Sequence, residues 1–350
     1  MRELLIVVAD FYWADSQRDS NKRSMTRERS GLTGLSDAVR FGSVSTLENG
    51  WRAALASWLG QEDMAAAAPA IVASASIAAG TGRAFAWIAQ PVHLITSLSS
   101  VHLDHAGLLR LDASTQSQLV ESFKTDFAGT PYALAALPAG SFLLSGPEAP
   151  SPQGMDPARY LGSSIESAIQ RGDAAAAMRR VAGELEMWLH EHPVNLARAR
   201  ARQRSVSTLW LWGGGSLPSA LESSVVKGSM KQALFGEDAY LAGLAALGAG
   251  SYEASTLTEL RDFSHVMQSE AERAAVVVEA YRLPDNSPVS TPMQALEELD
   301  RRWMVPATEA LACGRLQSLQ IIATDRLISL APRDRLKFWR RKRSALAALQ

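Results

Sequence analysis

The run Leu4-Leu5-Ile6-Val7-Val8-Ala9 is continuously apolar, rich in β-branched side chains, and ends at Asp10. An unbroken apolar run of this length reads as a strand buried on both faces, as in the middle of a parallel sheet, with Asp10 delivered at its carboxyl end. The next stretch, 15–29, is dense in Ser, Arg, Asp and Asn and nearly empty of apolar residues, which predicts a mobile loop. Leu47, Trp51, Leu55 and Leu59 recur at four-residue spacing and predict an amphipathic helix. The Ala/Ser/Gly-rich stretch 65–82 fits either a small-residue helix or a close-packed loop. Strands are predicted over 85–93 and 107–111, a serine-capped helix over 114–127, and two strands within 131–144 separated by Pro138 and Gly140.

A long helical pattern covers 160–189, with a break near Gly172-Asp173. Pro193 ends it, because the ring blocks further helix and disfavours helical backbone at His192. Residues 206–212 read as a strand running into Gly213-Gly214-Gly215. A helix at 257–271, a strand at 274–281, a helix at 292–313 kinked at Pro306, and a strand at 318–324 complete the pattern. Strands alternating with helices predict an α/β protein with a mixed, mostly parallel sheet flanked by helices. Pro147, Pro150, Pro152 and Pro157 mark the best linker. The division predicted is an N-terminal α/β region over residues 1–146, a C-terminal α/β region over residues 158–332 and a basic tail over residues 333–350, with a single continuous domain as the alternative.

Composition narrows the classes. The 350 residues carry 35 Lys plus Arg against 36 Asp plus Glu, a formal charge of −1, which excludes a globally basic nucleic-acid binder and leaves no sequence-specific nucleic-acid partner expected. With 47% hydrophobic and 20% charged residues, there is material for a sizeable core. Cys313 is the single cysteine, so neither an internal disulfide nor a thiolate zinc site is available. The charge-free stretches 64–82, 84–103 and 127–147 each carry proline and are diluted by Ala, Ser and Gly, so no transmembrane segment is expected. The apolar run 4–9 is too short for a signal-peptide core, and a cytoplasmic location is expected.

The densest chemistry lies between Glu184 and Gly215. A helix, an abrupt proline turn, an apolar strand and a glycine run are what an α/β fold uses to build a ligand crevice. His190, His192, Asn195 and Arg198, together with Gly213, Gly214 and Gly215, are the candidate ligand-binding residues, with Arg198 as a clamp on a phosphate or carboxylate. A flexible turn after the strand is the other reading of the glycines. His102, Asp104 and His105 form a second cluster with metal-like chemistry and poor spacing, for which surface or capping roles are the alternative. His93 reads as a hydrogen-bonded core histidine, and the run Arg198, Arg200, Arg202, Arg204 as a solvated face or a phosphate contact. The tail Arg333–Arg343 interleaves seven basic residues with Leu336, Phe338 and Trp339, a candidate surface for a protein partner. Trp210 and Trp212 share one face of a strand and read as core. No Gly-x-Gly-x-x-Gly fingerprint, P-loop, Gly-x-Ser-x-Gly elbow or His-Glu-x-x-His is present.

The string His190-Glu-His-Pro-Val-Asn195-x-x-Arg198, followed by Ser207-Thr-Leu-Trp-Leu-Trp-Gly-Gly-Gly215, resembles the bacterial RpfE-type regulatory proteins. Gln90-Pro91-Val92-His93-Leu94 and the Phe-Trp-Arg tail are similar to that group as well. By the same motif the chain resembles the archaeal-type cofactor-independent phosphoglycerate mutases of the alkaline-phosphatase-like superfamily. That resemblance implies two divalent metals, a Ser or Thr nucleophile and several Asp/His ligands. Asp10 stands where a first metal aspartate belongs, and Asp10, His102, Asp104, His105 and Asp325 are the ligands it implies. The chain also departs from that pattern. No Asp-Gly follows the first strand, no nucleophile loop is evident among Ser30, Thr33 and Ser36, and Thr324-Asp325-Arg326 offers one carboxylate without a histidine.

The reading drawn from the sequence is a phosphoglycerate-mutase-like protein with a degraded metal centre. It needs no cofactor and binds a small anionic metabolite, phosphorylated or carboxylate, in a regulatory role. The alternative is an active mutase or phosphomonoester transferase holding manganese, magnesium or zinc. A third is an interaction protein that works through its tail.

Overall fold

The computed structural model describes residues 1–12, 31–77, 85–98, 100–147, 154–168, 176–216, 231–253, 263–280, 292–337, 339–340 and 344–349. The predicted loop 15–29, the residues 257–262 and Gly172-Asp173 lie outside that set. The chain divides into two units. One gathers Met1–Ala65, Val225–Glu237 and Gly248–Gln350, and the other gathers Ala66–Ser224 and Asp238–Leu247. The sequential cut expected at 147–157 is therefore not where the chain divides, and the tail belongs with the first unit. Strand pairing is the reason, because the first strand is completed only by strands from the far end of the chain.

In the first unit, β1 (Glu3–Val8) is followed by α1 (Thr33–Phe41), β2 (Ser43–Thr46), α2 (Gly50–Trp58) and α3 (Glu62–Ala66). In the second unit, α4 (Pro69–Ser74), β3 (Phe85–Thr96), β4 (Val101–Leu108), α5 (Ala113–Asp126), β5 (Ala133–Ala136) and β6 (Phe142–Gly146) come next. They are followed by α6 (Ala176–His190), α7 (Pro193–Arg200) and β7 (Thr208–Ser216). The chain then supplies β8 (Gln232–Phe235) to the first unit, α8 (Ala239–Ala246) to the second, and β9 (Ser251–Glu253), α9 (Phe263–Gln268) and β10 (Arg273–Val278) to the first. The first unit closes with α10 (Pro292–Leu299), α11 (Val305–Ala312), β11 (Ser318–Ala323), β12 (Arg326–Leu330) and α12 (Ala345–Leu349).

The first unit is built on a seven-stranded sheet in the order β2-β12-β11-β1-β10-β8-β9. β1 pairs in parallel with β10 on one side and β11 on the other, and β12 and β2 run antiparallel at one edge. This is the mixed, mostly parallel sheet expected, and Leu4 to Val8 are at most 1% exposed because helices and neighbouring strands cover them on all sides. The tail packs here too, since Leu346 and Leu349 enter this core and Arg340 donates to the carbonyls of Phe41 and Gly42. Those carbonyls end α1 and have no partner within the helix.

The predicted helix 292–313 is present in two pieces, joined by a turn of π-helix over Asp300–Met304. Pro306 sits in the first turn of α11, where its missing N–H is tolerated, and the widened turn ahead of it absorbs the ring.

The second unit holds an antiparallel sheet, which the alternation pattern did not reveal, with the order β4-β3-β6-β5 and β7 paired to β3. The strand expected at 107–111 runs instead at Val101–Leu108, and the helix expected to be capped by Ser114 is capped by Asp112, whose carboxylate accepts from Thr115 N at 2.9 Å. Asp and Ser cap equally well, and the residue two positions earlier won. Pro193 does end α6, but it also begins α7, because a proline at the first helical turn gives up nothing. No helix among the described residues is long and apolar enough to cross a membrane.

Candidate functional site

In an open parallel sheet, ligands bind beyond the carboxyl ends of the strands, beside the strand where the order reverses. Here that strand is β1, because the chain leaves β10 on one side of it and returns as β11 on the other. Asp10 lies two residues past Val8 and Asp325 two past Ala323, the residues paired between β1 and β11. Both carboxylates therefore stand at the same edge of adjacent strands. Asp10 is 3% exposed, and its Oδ1 accepts from the Ala280 amide at the end of β10 at 2.5 Å. Thr324, at φ +56°, turns the chain tightly between β11 and β12 and places Asp325 in that turn, where its carbonyl accepts from Leu47 N.

At the start of α1 a different carboxylate takes over. Asp300, fully buried within the π-turn, accepts from Leu35 N at 2.6 Å and from Gly34 N at 3.0 Å. These amides are among those a helix amino terminus leaves unpaired, and they form a ready anion site. An internal side chain fills it. Burial pushes the Asp300 carboxyl above the usual carboxylate range, the Leu35, Gly34 and Thr33 amides pull it back, and Asp37 pushes it up again. Thr33, the candidate nucleophile among the described residues nearest this point, is the first residue of α1. Ser36 lies one turn further in, and Ser30 is outside the described residues.

The motif His190–Gly215 lies in the second unit, and it builds a junction there. His192 caps α7, its Nδ1 accepting from Val194 N at 3.1 Å, which puts the ring proton on Nε2. Nε2 then donates to Ser122 Oγ at 2.9 Å, and Ser122 donates to Asp126. Asn195 is 7% exposed and ties three backbone groups, donating to the carbonyls of Leu189 and Val206 and accepting from Val206 N. Arg198 donates through Nε to the Arg204 carbonyl at 2.7 Å, and Arg204 pairs with Asp104 at 2.9 Å. His190 ends α6 and is exposed. His192, Asn195 and Arg198 thus hold helix, turn and strand together.

Gly213, Gly214 and Gly215 are not a loop after the strand but belong to β7. The strand bulges here, Gly213 takes a φ of +61° that favours glycine, and Gly214 and Gly215 face opposite sides of the sheet. A Cβ on Gly213 would lie 3.0 Å from Pro69, and one on Gly215 would lie 2.6 Å from Ala68, where α4 and its lead-in cross the sheet. A Cβ on Gly214 would meet Trp87 at 2.4 Å on the other face. The small-residue stretch 65–82 is thus helical at Pro69–Ser74 and packs on glycine on both sides, since a Cβ on Gly243 of α8 would lie 1.9 Å from the Val72 carbonyl.

His102, Asp104 and His105 lie on β4 where residues 104–107 bulge opposite His93. His102 Nε2 shares a hydrogen with Ser100 Oγ at 2.7 Å, Asp104 is paired with Arg204, and the His105 ring lies over Gly162, where a Cβ would come within 2.0 Å of it. Burial lowers the His105 pKa, and Asp104 partly restores it. His93 is half-buried, and its Nδ1–H donates to the Ser205 carbonyl at 2.9 Å, the hydrogen-bonded role expected of it. Asp10, His102, Asp104, His105 and Asp325 are all described, and among the described residues no group of three or more His, Cys, Asp or Glu is placed to hold a metal ion. Asp10 and Asp325 belong to the first unit, and His102, Asp104 and His105 to the second. In the tail, Leu336 and Trp339 are each 69% exposed.

The His192 relay sets a pH expectation. Burial depresses its pKa below the ordinary 6.5, against an opposing pull from Asp126. The contribution of a group depressed in this way is complete above 6.5 and is lost as pH falls through the native value. Denaturant unfolding followed from pH 8 to 5 should show stability falling on the acid side. His192→Asn, which caps without titrating, should flatten that fall.

No protein-family model matches the chain, and no curated protein matches it. Among solved structures, the chain is similar to a cofactor-independent phosphoglycerate mutase from Thermoplasma acidophilum DSM 1728, at 15% identity and a TM-score of 0.39, over 95% of this chain and 90% of that one. It is also similar to the PH0037 protein from Pyrococcus horikoshii, at 12% identity and a TM-score of 0.44, over 91% of this chain and 81% of that one.

Proposed function

We propose that this chain is a phosphoglycerate-mutase-like protein that binds a small metabolite in a regulatory role and does not transfer phosphoryl groups. The observation that carries the proposal is Asp300. A phosphoryl-transfer centre at the start of α1 needs the helix amides and a hydroxyl turned toward an incoming phosphate, and in this chain a buried carboxylate takes the amides of Gly34 and Leu35. A phosphate brought to the same amides would meet a side chain already bonded there, and its own negative charge would oppose Asp300. The anionic character expected of the metabolite rested on the 190–215 residues. His192, Asn195 and Arg198 are used by the fold, so the ligand is sought elsewhere in the molecule.

The second reading, a metal-dependent mutase, draws on Asp10, which is buried at the carboxyl end of the central strand. One preparation separates the two readings. Purified protein is analysed for bound metal and assayed for 3-phosphoglycerate mutase activity with added manganese, beside Asp10→Ala. The expected result is neither stoichiometric metal nor turnover. Stoichiometric metal with turnover that Asp10→Ala abolishes would replace the binding reading with the enzymatic one.

A further inference from the structure

The basic tail follows a three-residue register. After β12, Pro332–Leu336 forms a turn of 3₁₀ helix. Backbone hydrogen bonds of the same i→i+3 kind continue it. Asp334 N donates to the Ala331 carbonyl at 2.9 Å, Lys337 N to that of Asp334 at 3.0 Å and Arg340 N to that of Lys337 at 3.0 Å. With three residues per turn, positions 334, 337 and 340 share one face, and 333, 336 and 339 share another.

The two faces differ in chemistry. The first is tied into the fold. The Asp334 carboxylate accepts from Ala331 N at 2.8 Å and pairs with Lys337. Arg340 donates to the carbonyls of Phe41 and Gly42 at 2.9 and 2.7 Å, and Arg40 Nε donates back to the Arg340 carbonyl at 3.0 Å. The second face consists of Arg333, Leu336 and Trp339, all exposed, the two apolar side chains at 69% each. Beyond it, Leu346 and Leu349 of α12 enter the core of the first unit, so the face is anchored on both sides along the chain. Holding a leucine and an indole out in water forgoes the free energy of burying them, which a partner surface would recover.

Charge selects that partner. Over Arg333–Arg343 seven basic residues stand against one acid, and the acid, Asp334, is paired within the inward face. Such a segment attracts an anionic surface. A nucleic acid would satisfy the arginines and stack on the indole but offers a leucine no apolar phase. A bilayer with anionic headgroups offers both, and tryptophan is at home at the headgroup level. We propose that the face Arg333–Leu336–Trp339 docks this chain on an anionic lipid surface. Leu336 and Trp339 enter the boundary between headgroups and acyl chains, and Arg333 lies among the headgroup phosphates. A single apolar anchor gives only marginal membrane binding, and the basic segment supplies the second signal that stable binding requires. The inference concerns the first unit and does not depend on the metabolite reading.

The test is flotation of the full chain with vesicles of phosphatidylcholine alone and of phosphatidylcholine with about 30% phosphatidylglycerol. Partition onto the mixed vesicles is expected to be at least about tenfold stronger and to fall as salt is raised. The double substitution Leu336→Ser with Trp339→Ser should weaken it at least about tenfold, and Arg333→Gln about fivefold. All three side chains are exposed, so each variant should keep the parent unfolding midpoint, which separates loss of docking from loss of fold. If the double variant does not fold, Arg333→Gln decides. Absence of flotation with the mixed vesicles, equal flotation with both compositions, or unchanged flotation of a folded variant would overturn the proposal. So would preferential binding of a DNA duplex over the mixed vesicles, or a dimer in solution that the double substitution dissociates.

Discussion

Replacing Asp300 by alanine is expected to lower the unfolding free energy by about 3–4 kcal/mol, since each buried amide left without an acceptor costs about 1–3 kcal/mol and a lost helix cap about 1. Two amides, those of Gly34 and Leu35, lose their partner at once, in a site where no water replaces it because Asp300 is fully buried. The truncation also opens a gap beside Trp303 and Met304, which are themselves at most 2% exposed. Denaturant titration of the variant checks the magnitude. A loss under about 1 kcal/mol would mean that the Asp300 contacts are not the ones holding the start of α1.

The pH dependence of the same residue has a definite sign. Asp300 titrates above the ordinary 3.8 in the folded chain, so the fold holds its proton more tightly than the unfolded chain does. Its contribution is complete below 3.8, is lost as pH rises through the raised native value, and is constant above it. Asp300→Asn cannot titrate and should remove that component of the slope, at the cost of placing an amide nitrogen near a backbone N–H. Asp37 is the neighbouring acid, so Asp37→Asn should shift the native Asp300 titration downward without abolishing it.

Asn195→Ala is expected to be as damaging in the second unit, at about 2–4 kcal/mol, because one side chain satisfies a buried N–H and two carbonyls. The Leu189 carbonyl keeps a second donor in His192 N, so the loss is concentrated on Val206. Asn195→Asp should be worse than alanine, because it sets a charge against the carbonyls that the amide nitrogen now serves. The discriminating readout is binding. If Asn195 is a fold staple, the alanine variant that remains folded keeps its affinity for any small molecule the chain is found to bind. A large affinity loss with little loss of stability would return Asn195 to the role of a ligand contact.

The sequence and the structure agree where burial dictates pattern. Leu4–Val8 could only be a central strand, and the four-residue spacing of Trp51 and Leu55 could only be a helix with one wet face. They diverge where a residue type serves two masters. A triple glycine permits an anion to approach backbone amides, and it equally permits a helix and a tryptophan to approach a strand from opposite sides. Composition alone does not separate these, and the Ala/Ser-rich α4 that decides the matter is more than a hundred residues away. His192 and Asn195 are similar: polar residues beside a helix-starting proline are as apt for capping as for binding, and the strand partner at Val206 is invisible in one dimension.

One signal was legible but unread. Asp300 falls on the stripe Leu296, Leu299, Trp303, Met304, Ala307, so a lone acid occupied a buried helix face and called for a buried partner. Four strands of the antiparallel sheet were legible as strands, but not their pairing, because partners such as Ala89 and Leu211 lie more than a hundred residues apart and β4 is bulged.

The most direct test of the claim that the first unit does not transfer phosphoryl groups is the intact mass of the protein. It is measured after incubation with excess 3-phosphoglycerate and manganese, with acid quenching to trap any phosphoenzyme. With Asp300 seated on the α1 amides, the expected spectrum shows the unmodified chain alone. A phosphoryl adduct that maps to Thr33 or Ser36 and disappears in the corresponding alanine variant would contradict the claim and place a working nucleophile at the start of α1.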